Sequence, residues 1–355
     1  MPLPLDIPVE QLPIPALATW SARWRSLINL LESEAPCIYL PNYDFWHSCV
    51  TSALSHRVGV VGIVHSDDAQ HYDHARRMGK TWNAAVAVSE AVADRVRHMR
   101  IVESSRLSVI PYGVDSAQTQ VARPDREEIR LIYTGRLDAN QKRVADLLGI
   151  AAALAHRGVQ FTLTIVGAGP ERAKLEQEIA ARGLSPRVRM LQPMDNRRVL
   201  EMCAESDVVV LTSAYEGMPI SILEAMGQGC VPVMSDIASG VPELIRDGVN
   251  GFVVPVGSIE QYASLIEQLA ASRETRQRMS LEAWRTVSDG PYRIEVMTGR
   301  YIELFERVER EMSARTFARP GGGAIARAPL TLSDRLAAPL WSFHPAIRRQ
   351  QNLAG

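Results

Sequence analysis

Two glutamates eight positions apart, Glu216 and Glu224, enclose Gly217-Met-Pro-Ile220, and an apolar helical stretch follows directly. Pro219 has a fixed φ and no amide proton, so it suits the first turn of a helix, while Gly217 lets backbone approach a ligand closely. A helix starting there points free N–H groups and partial positive charge at a phosphate. Glu224, inside the helix, could accept both hydroxyls of a ribose; Glu216, still in the loop, would reach a sugar. The alternative is two surface glutamates, the usual fate of this residue type. The whole run, with Ser213, Gly217, Pro219, Ala225-Met226, Gly229 and Pro232 in fixed order, argues for a nucleotide-sugar site instead.

Upstream, Gly135-Arg-Leu-Asp-Ala-Asn-Gln-Lys-Arg143 follows an apolar run and brings Arg136 and Lys142 to one strand end. Fixed cations there would stabilise the charge that develops on a departing diphosphate. A solvated loop is the competing reading, and the downstream carboxylate motif favours the site. His65 ends the run Val58–Val64 and would project from a strand's carboxyl end. His71 and His74 lie one helical turn apart without a third ligand at fitting spacing, so they read as a helix-surface pair rather than a metal site. The chain has no Asp-x-Asp triplet, so the ligands of a magnesium-diphosphate site of that kind are missing and no metal is expected. Val166-Gly-Ala-Gly-Pro lacks the third glycine of a dinucleotide fingerprint and reads as a tight strand-to-helix turn. Trp20, Trp24, Trp46 and Trp82 read as core.

These residues need strands to carry them. From Ile129 on, β-branched runs at Ile129–Tyr133, Phe161–Val166, Val188–Leu191, Val208–Leu211, Val231–Met234 and Phe252–Val254 alternate with amphipathic helical stretches, which predicts a doubly wound parallel sheet. Pro170 opens one helix, Asp195 caps another, and Gly158, Gly183 and Gly227 or Gly229 stop others. A smaller α/β unit precedes it, with strands at Cys37–Leu40, Val58–Val64, Ala84–Val88 and Leu107–Ile110. Asp115–Glu128, polar and aperiodic, reads as the linker. Ligands of such sheets bind beyond the carboxyl ends of the strands, so two units with a cleft between them suit a two-substrate reaction.

Composition sets the outer limits. The 355 residues are 46% hydrophobic, enough for about two cores, and 39 basic against 40 acidic residues exclude a protein built on bulk attraction to nucleic acid. Four scattered cysteines without a CxxC pair read as reduced thiols, and the first fifteen residues hold five prolines and no Lys or Arg, unlike a signal peptide, so a cytoplasmic location is expected. From Ser313 on, six Arg face one acidic residue, which predicts a flexible basic tail able to touch an anionic surface such as the inner face of the plasma membrane.

The ordered set His65-Ser-Asp-Asp, Val86-Ala-Val-Ser-Glu90, Val109-Ile-Pro-Tyr-Gly-Val-Asp115, Gly135-Arg-Leu, Gln141-Lys-Arg, Val166-Gly-Ala-Gly-Pro, Glu216 through Met226, Gly240-Val-Pro-Glu and Asn250-Gly-Phe resembles the retaining transferases of glycosyltransferase family four (group 1 type). The resemblance spans about residues 37 to 312 and implies the α/β GT-B fold, two Rossmann-like doubly wound parallel-sheet domains facing across a cleft. It implies that Arg136 and Lys142 hold the donor diphosphate, with backbone contacts around Gly217, Met218 and Ile220. By the same resemblance Glu224 holds the ribose, Glu216 the donor sugar, and His65 contacts that sugar near its anomeric centre. Relative to the family, the first domain looks truncated by about its first third. The expected layout is an incomplete acceptor-side domain over 1–122 and a donor-binding domain over 123–290. A crossover helix over 291–312 would return to the first domain, followed by the tail 313–355.

The expected function is metal-independent, retaining transfer of a hexose from a UDP- or GDP-sugar to a glycan or lipid-linked glycan acceptor, with no cofactor. Two alternatives stand beside it: a nucleotide-sugar-binding pseudoenzyme subunit partnering a full-length transferase, and a non-hydrolysing nucleotide-sugar epimerase. The shortened first domain predicts an exposed sheet edge, covered by the Ala16–Leu31 helix, a protein partner or a second copy.

Overall fold

The structure, a computed structural model, describes residues 12, 14, 18–42, 46–119 and 126–320. The proline-rich start, the 122/123 boundary within the linker, and the tail from 321 on lie outside the described residues. Two parallel sheets form, the arrangement the strand and helix alternation predicts.

The first sheet contains β1 (Cys37–Tyr39), β2 (Val58–Val64), β3 (Ala84–Ala87) and β4 (Leu107–Val109), paired in chain order. Right-handed crossovers between parallel neighbours in chain order place every connection on one face. That face carries a 3-10 turn at His47–Ala53, α2 (Ala69–Met78) and α3 (Glu90–His98), whose Val50, Tyr72, Met78, Val92 and Val96 pack with Val58, Val60, Val64 and Ala85. A preceding helix, α1 (Trp20–Ser33), joins through Trp20, stacked on Trp46 at 5.8 Å, and through the Trp24 indole N–H, which donates to the Trp46 carbonyl at 3.0 Å.

The opposite face would be bare without help from the far end of the chain. Leu304, Val308 and Met312 cover it by packing on Val61, Ala84, Val86 and Ile110. The glycines of β2 make room on each face in turn. A Cβ on Gly59 would lie 2.6 Å from Met312 Sδ, and one on Gly62 would overlap the buried Trp82 indole.

The second sheet contains β5 (Ile129–Thr134), β6 (Phe161–Val166), β7 (Val188–Leu191), β8 (Val208–Leu211), β9 (Val231–Asp236) and β10 (Phe252–Pro255). Its order is β10-β9-β8-β5-β6-β7, parallel throughout, so the chain reverses its direction of travel between β5 and β8. The helices are α4 (Ala145–His156), α5 (Arg172–Ala181), α6 (Asn196–Glu205), α7 (Ile220–Gly227), α8 (Val241–Leu244), α9 (Ile259–Ala271), α10 (Arg273–Ser288) and α11 (Ile294–Ala314), the last being the one on the first sheet. Asp195 caps α6 by accepting from the Arg198 N–H, and Gly158 and Gly183 stop α4 and α5 with φ of +74° and +66°.

One expectation needs correcting. The first residues assigned to the flexible tail are docked, not free. After α11, Arg319 is half-buried and its guanidinium donates to the carbonyls of Leu54, Ser55, Val58 and Thr81 and to Asn83 Oδ1, at 2.7–3.0 Å. Those acceptors sit where the chain enters β2 and β3, so the planar, five-donor fork satisfies carbonyls the strands leave open. Phe317 lies against the Arg106 guanidinium at 4.9 Å. Composition placed these arginines in a flexible tail; packing makes one of them a half-buried clamp.

Candidate active site

The reversal between β5 and β8 sends their following loops apart and opens a crevice at the carboxyl ends of the strands. Both loops carry charged residues. From the β5 loop, the Lys142 ammonium meets Glu216 Oε1 of the β8 loop at 2.6 Å, with side chains only 13% and 9% exposed. Asp138 shapes the β5 loop by accepting from the N–H groups of Gln141 (2.8 Å) and Lys142 (3.2 Å). Beneath the pair, the Tyr133 hydroxyl donates to the Arg136 carbonyl at 2.6 Å. Burial, reinforced by the Glu216 charge, pushes the Tyr133 phenol far above its ordinary range and keeps it a donor.

Arg136 behaves differently. Its side chain is 70% exposed, bonded to Gln141 Oε1 and 3.7 Å from Asp138, at the mouth of the crevice rather than its floor. The β6 turn lies beside it, where a Cβ on Gly167 would overlap the Gly135 carbonyl and the Leu137 N–H donates to the Ala168 carbonyl at 2.9 Å. The two strand-end loops are thus in backbone contact.

Pro219 is the N-cap of α7, leaving the helix's first N–H groups without intrahelical acceptors. Ile220, 41% exposed, sits at that start. Met218 is buried against Gly240, whose N–H donates to the Gly217 carbonyl at 2.9 Å, so Met218 can offer a ligand backbone only. Within α7, burial raises the Glu224 carboxyl above its ordinary value; a hydrogen bond with Asn196 opposes the shift and the Asp115 charge adds to it.

The first sheet closes the crevice. Ser66 and Gly217 form an isolated antiparallel bridge, and a Cβ on Gly217 would overlap the His65 carbonyl oxygen. The imidazole of His65 is buried, with Nδ1 2.5 Å from the Tyr112 hydroxyl and Nε2 bonded to Asn42 Oδ1. An amide oxygen requires an N–H donor, so Nε2 carries the proton and Nδ1 accepts from Tyr112. Burial, with the neighbouring His71 charge adding to it, lowers its pKa from 6.5 to about 4, which makes the ring a neutral group. His71 and His74 turn to different partners: Asp68 Oδ2 at 2.7 Å and Ser48 Oγ at 3.1 Å.

Of the residues singled out in the sequence, Lys142, Glu216, Gly217 and the His65 backbone meet at one point, Ile220 opens the adjoining helix, Glu224 lies deeper in it, and Arg136 stays at the rim. Sequence reasoning gave no site role to Asn42, to Asn196, to Tyr112 of the Val109–Asp115 run or to Tyr133 of β5; the first three act on the site from distant segments. Asp138 had a signal, since it precedes Gln141 by three, the offset of a side-chain cap on a turn.

The halves of the chain match two family models: "Glycosyltransferase Family 4" over residues 5–118 and "Glycosyl transferases group 1" over residues 115–285. Each unit is thus similar to a glycosyltransferase family, and the fold is GT-B. Among curated relatives, the alpha-D-kanosaminyltransferase of Streptomyces kanamyceticus is 33% identical over 211 residues, covering 56% of this chain and 54% of that protein. The GDP-mannose:cellobiosyl-diphosphopolyprenol alpha-mannosyltransferase of Xanthomonas campestris is 29% identical over 300 residues, covering 79% and 76%. The chain spans about half the length of several curated relatives it matches, 54% of the kanosaminyltransferase among them. Among solved structures, S. aureus TarM in a complex with UDP superposes with a TM-score of 0.70 at 19% identity, covering 79% of this chain and 58% of TarM. Anabaena HepE with UDP does so at 0.65 and 20%, covering 80% and 82%.

Proposed function

We propose that the protein is a retaining glycosyltransferase that moves a hexose from a UDP- or GDP-sugar to a glycan or lipid-linked glycan acceptor, without a catalytic metal. The Lys142–Glu216 pair at the β5/β8 reversal, closed over by His65 and Ser66 of the opposite sheet, carries this reading. Relatives named for transfer to a diphosphopolyprenol-linked glycan support the acceptor class.

In this reading the bond from the anomeric carbon to the donor phosphate breaks, and the leaving diphosphate takes the electron pair. The start of α7, Lys142 and Arg136 receive its charge, stabilising the transition state more than the ground state. An acceptor hydroxyl attacks from the same face, and its proton passes to the departing phosphate oxygen. No protein nucleophile is needed. Glu224 accepts from the ribose hydroxyls, and donor binding draws Lys142 toward the diphosphate and leaves Glu216 Oε1 to the sugar hydroxyls. His65, neutral and already bonded on both ring nitrogens, serves best as a rigid polar wall near the anomeric carbon.

The experiment mixes purified protein with UDP- and GDP-sugars, with and without EDTA, and follows nucleotide binding and diphosphate release with candidate acceptors. Release that persists in EDTA, with an α-configured product from an α-donor, supports the reading; an inverted product or loss of activity in EDTA overturns it. Glu216→Gln should lower turnover more than nucleotide affinity.

The four-stranded first sheet favours a second reading, a donor-binding subunit whose partner covers the sheet edge at β1. Binding without release in every mixture, together with co-purification of a full-length transferase, would select it.

A further inference from the structure

Lys142 has a position to hold, and its own loop supplies only half of what holds it. Asp138 takes the Lys142 N–H. The carbonyl is taken from across the reversal by Thr212, the first residue after β8, whose hydroxyl donates to the Lys142 carbonyl at 2.9 Å and is shared with the Arg143 carbonyl at 3.3 Å. Thr212 is fully buried, so water cannot replace it. Beside it the Ala214 N–H donates to the Gln141 carbonyl at 2.7 Å.

The turn these bonds grip is strained. Arg143 has φ of +47°, in the left-handed region that glycine occupies at little cost and a side chain does not. It is held there from both sides: its guanidinium bonds Asp146 at 2.8 Å, and its carbonyl accepts from the Asp146 N–H at 2.9 Å as well as from Thr212. A strained residue persists only where its surroundings over-determine it. Among those surroundings, the Thr212 hydroxyl is the side-chain donor that comes from the β8 loop, the loop that also carries Glu216.

We propose that Thr212 is a positioning residue for Lys142: its shared hydroxyl fixes the left-handed turn at Arg143 and so aims the Lys142 ammonium at the donor diphosphate. The inference rests on the donor-binding reading above. Valine matches threonine in shape and lacks the donor. In Thr212→Val the Lys142 carbonyl loses its donor and the Arg143 carbonyl keeps only the Asp146 N–H, the turn relaxes, and the ammonium moves off its line; Thr212→Ser restores the bond.

Calorimetry with UDP and GDP tests this on wild type, Thr212→Val, Thr212→Ser, Lys142→Ala and the Thr212→Val/Lys142→Ala double variant. We expect Thr212→Val to weaken binding roughly five- to tenfold and Thr212→Ser by less than about twofold, with the double variant no weaker than Lys142→Ala alone. The chain has only three lysines, so lysine-labelled NMR resolves the Lys142 ε-signal, which should shift in Thr212→Val and return in Thr212→Ser. A Thr212→Val protein that melts earlier but keeps both wild-type affinity and the Lys142 signal has a merely structural threonine, and overturns the proposal. Additive losses in the double variant overturn it too. If wild type binds neither nucleotide while the Lys142 signal still follows Thr212, the donor reading falls and the positioning stands.

Discussion

The two sheets share a parallel architecture and face one crevice, yet they bring opposite chemistry to it. In the second, the chain reverses between β5 and β8, two loops diverge, and a buried ammonium–carboxylate pair spans the gap. In the first, strands follow one another in order, no reversal occurs among the described residues, and the crevice-facing residue is a histidine kept neutral by burial and bonded to Tyr112 and Asn42. A switch point gathers charge from separate loops, whereas an ordered run of strands offers a stiff wall. The wall in turn depends on α11 and Arg319 from the far end of the chain.

The charged side should be the more fragile. Lys142→Ala leaves the Glu216 carboxylate buried without its counter-charge, and the expected loss is about 3–5 kcal/mol of unfolding free energy in urea titrations. Adding Glu216→Gln should return much of it. Equal losses in the single and double variants would show that the pair is not the second sheet's distinguishing feature.

The neutral side should instead respond to acid. Unfolded His65 regains a pKa near 6.5, while the folded ring protonates only near 4, so the unfolded chain binds more protons between these values. Stability contributed by the neutral ring is complete above pH 6.5 and falls as pH drops toward 4, by about 3 kcal/mol in all. Denaturation midpoints measured across that window should decline in wild type and decline less in His65→Gln. A flat wild-type profile would mean the folded ring titrates as the unfolded one does, and the contrast between the sheets would disappear.

Smaller effects sharpen the comparison. Gly59→Ala presses a methyl into Met312 and Val308 and should cost roughly 1–3 kcal/mol of stability with nucleotide affinity unchanged, since only the wall is loosened. Arg136→Ala should do the reverse. Its exposed guanidinium adds almost nothing to the fold, while its removal should weaken UDP or GDP binding by about 1–3 kcal/mol in calorimetry. Unchanged nucleotide affinity would remove Arg136 from the site.

The sequence was most legible where the physics is local. Strand-length apolar runs, the Asp195 cap and the stops at Gly158 and Gly183 are decided within a few residues, and each lies where its pattern predicts. Glu216 and Lys142 were legible because each follows a recognisable strand. Their mutual distance was not, because it depends on which strands become neighbours. The roles of Asn42 and of Tyr112, though the latter lies in the Val109–Asp115 run, carried no such signal: they serve His65 from 23 and 47 positions away. The tail misled for the same reason, since a count of arginines says nothing of the open carbonyls that hold Arg319.

By itself, then, the sequence determined the elements, their parallel kind and the residue types that can handle a sugar diphosphate, because propensity, capping and charge are properties of short stretches. The tertiary structure alone decided the β5/β8 reversal that sets Lys142 against Glu216, the burial that neutralises His65, and the docking of α11 and Arg319 on a sheet some two hundred residues upstream. Those outcomes turn on desolvation and on contacts between distant segments, and neither exists until the chain has packed.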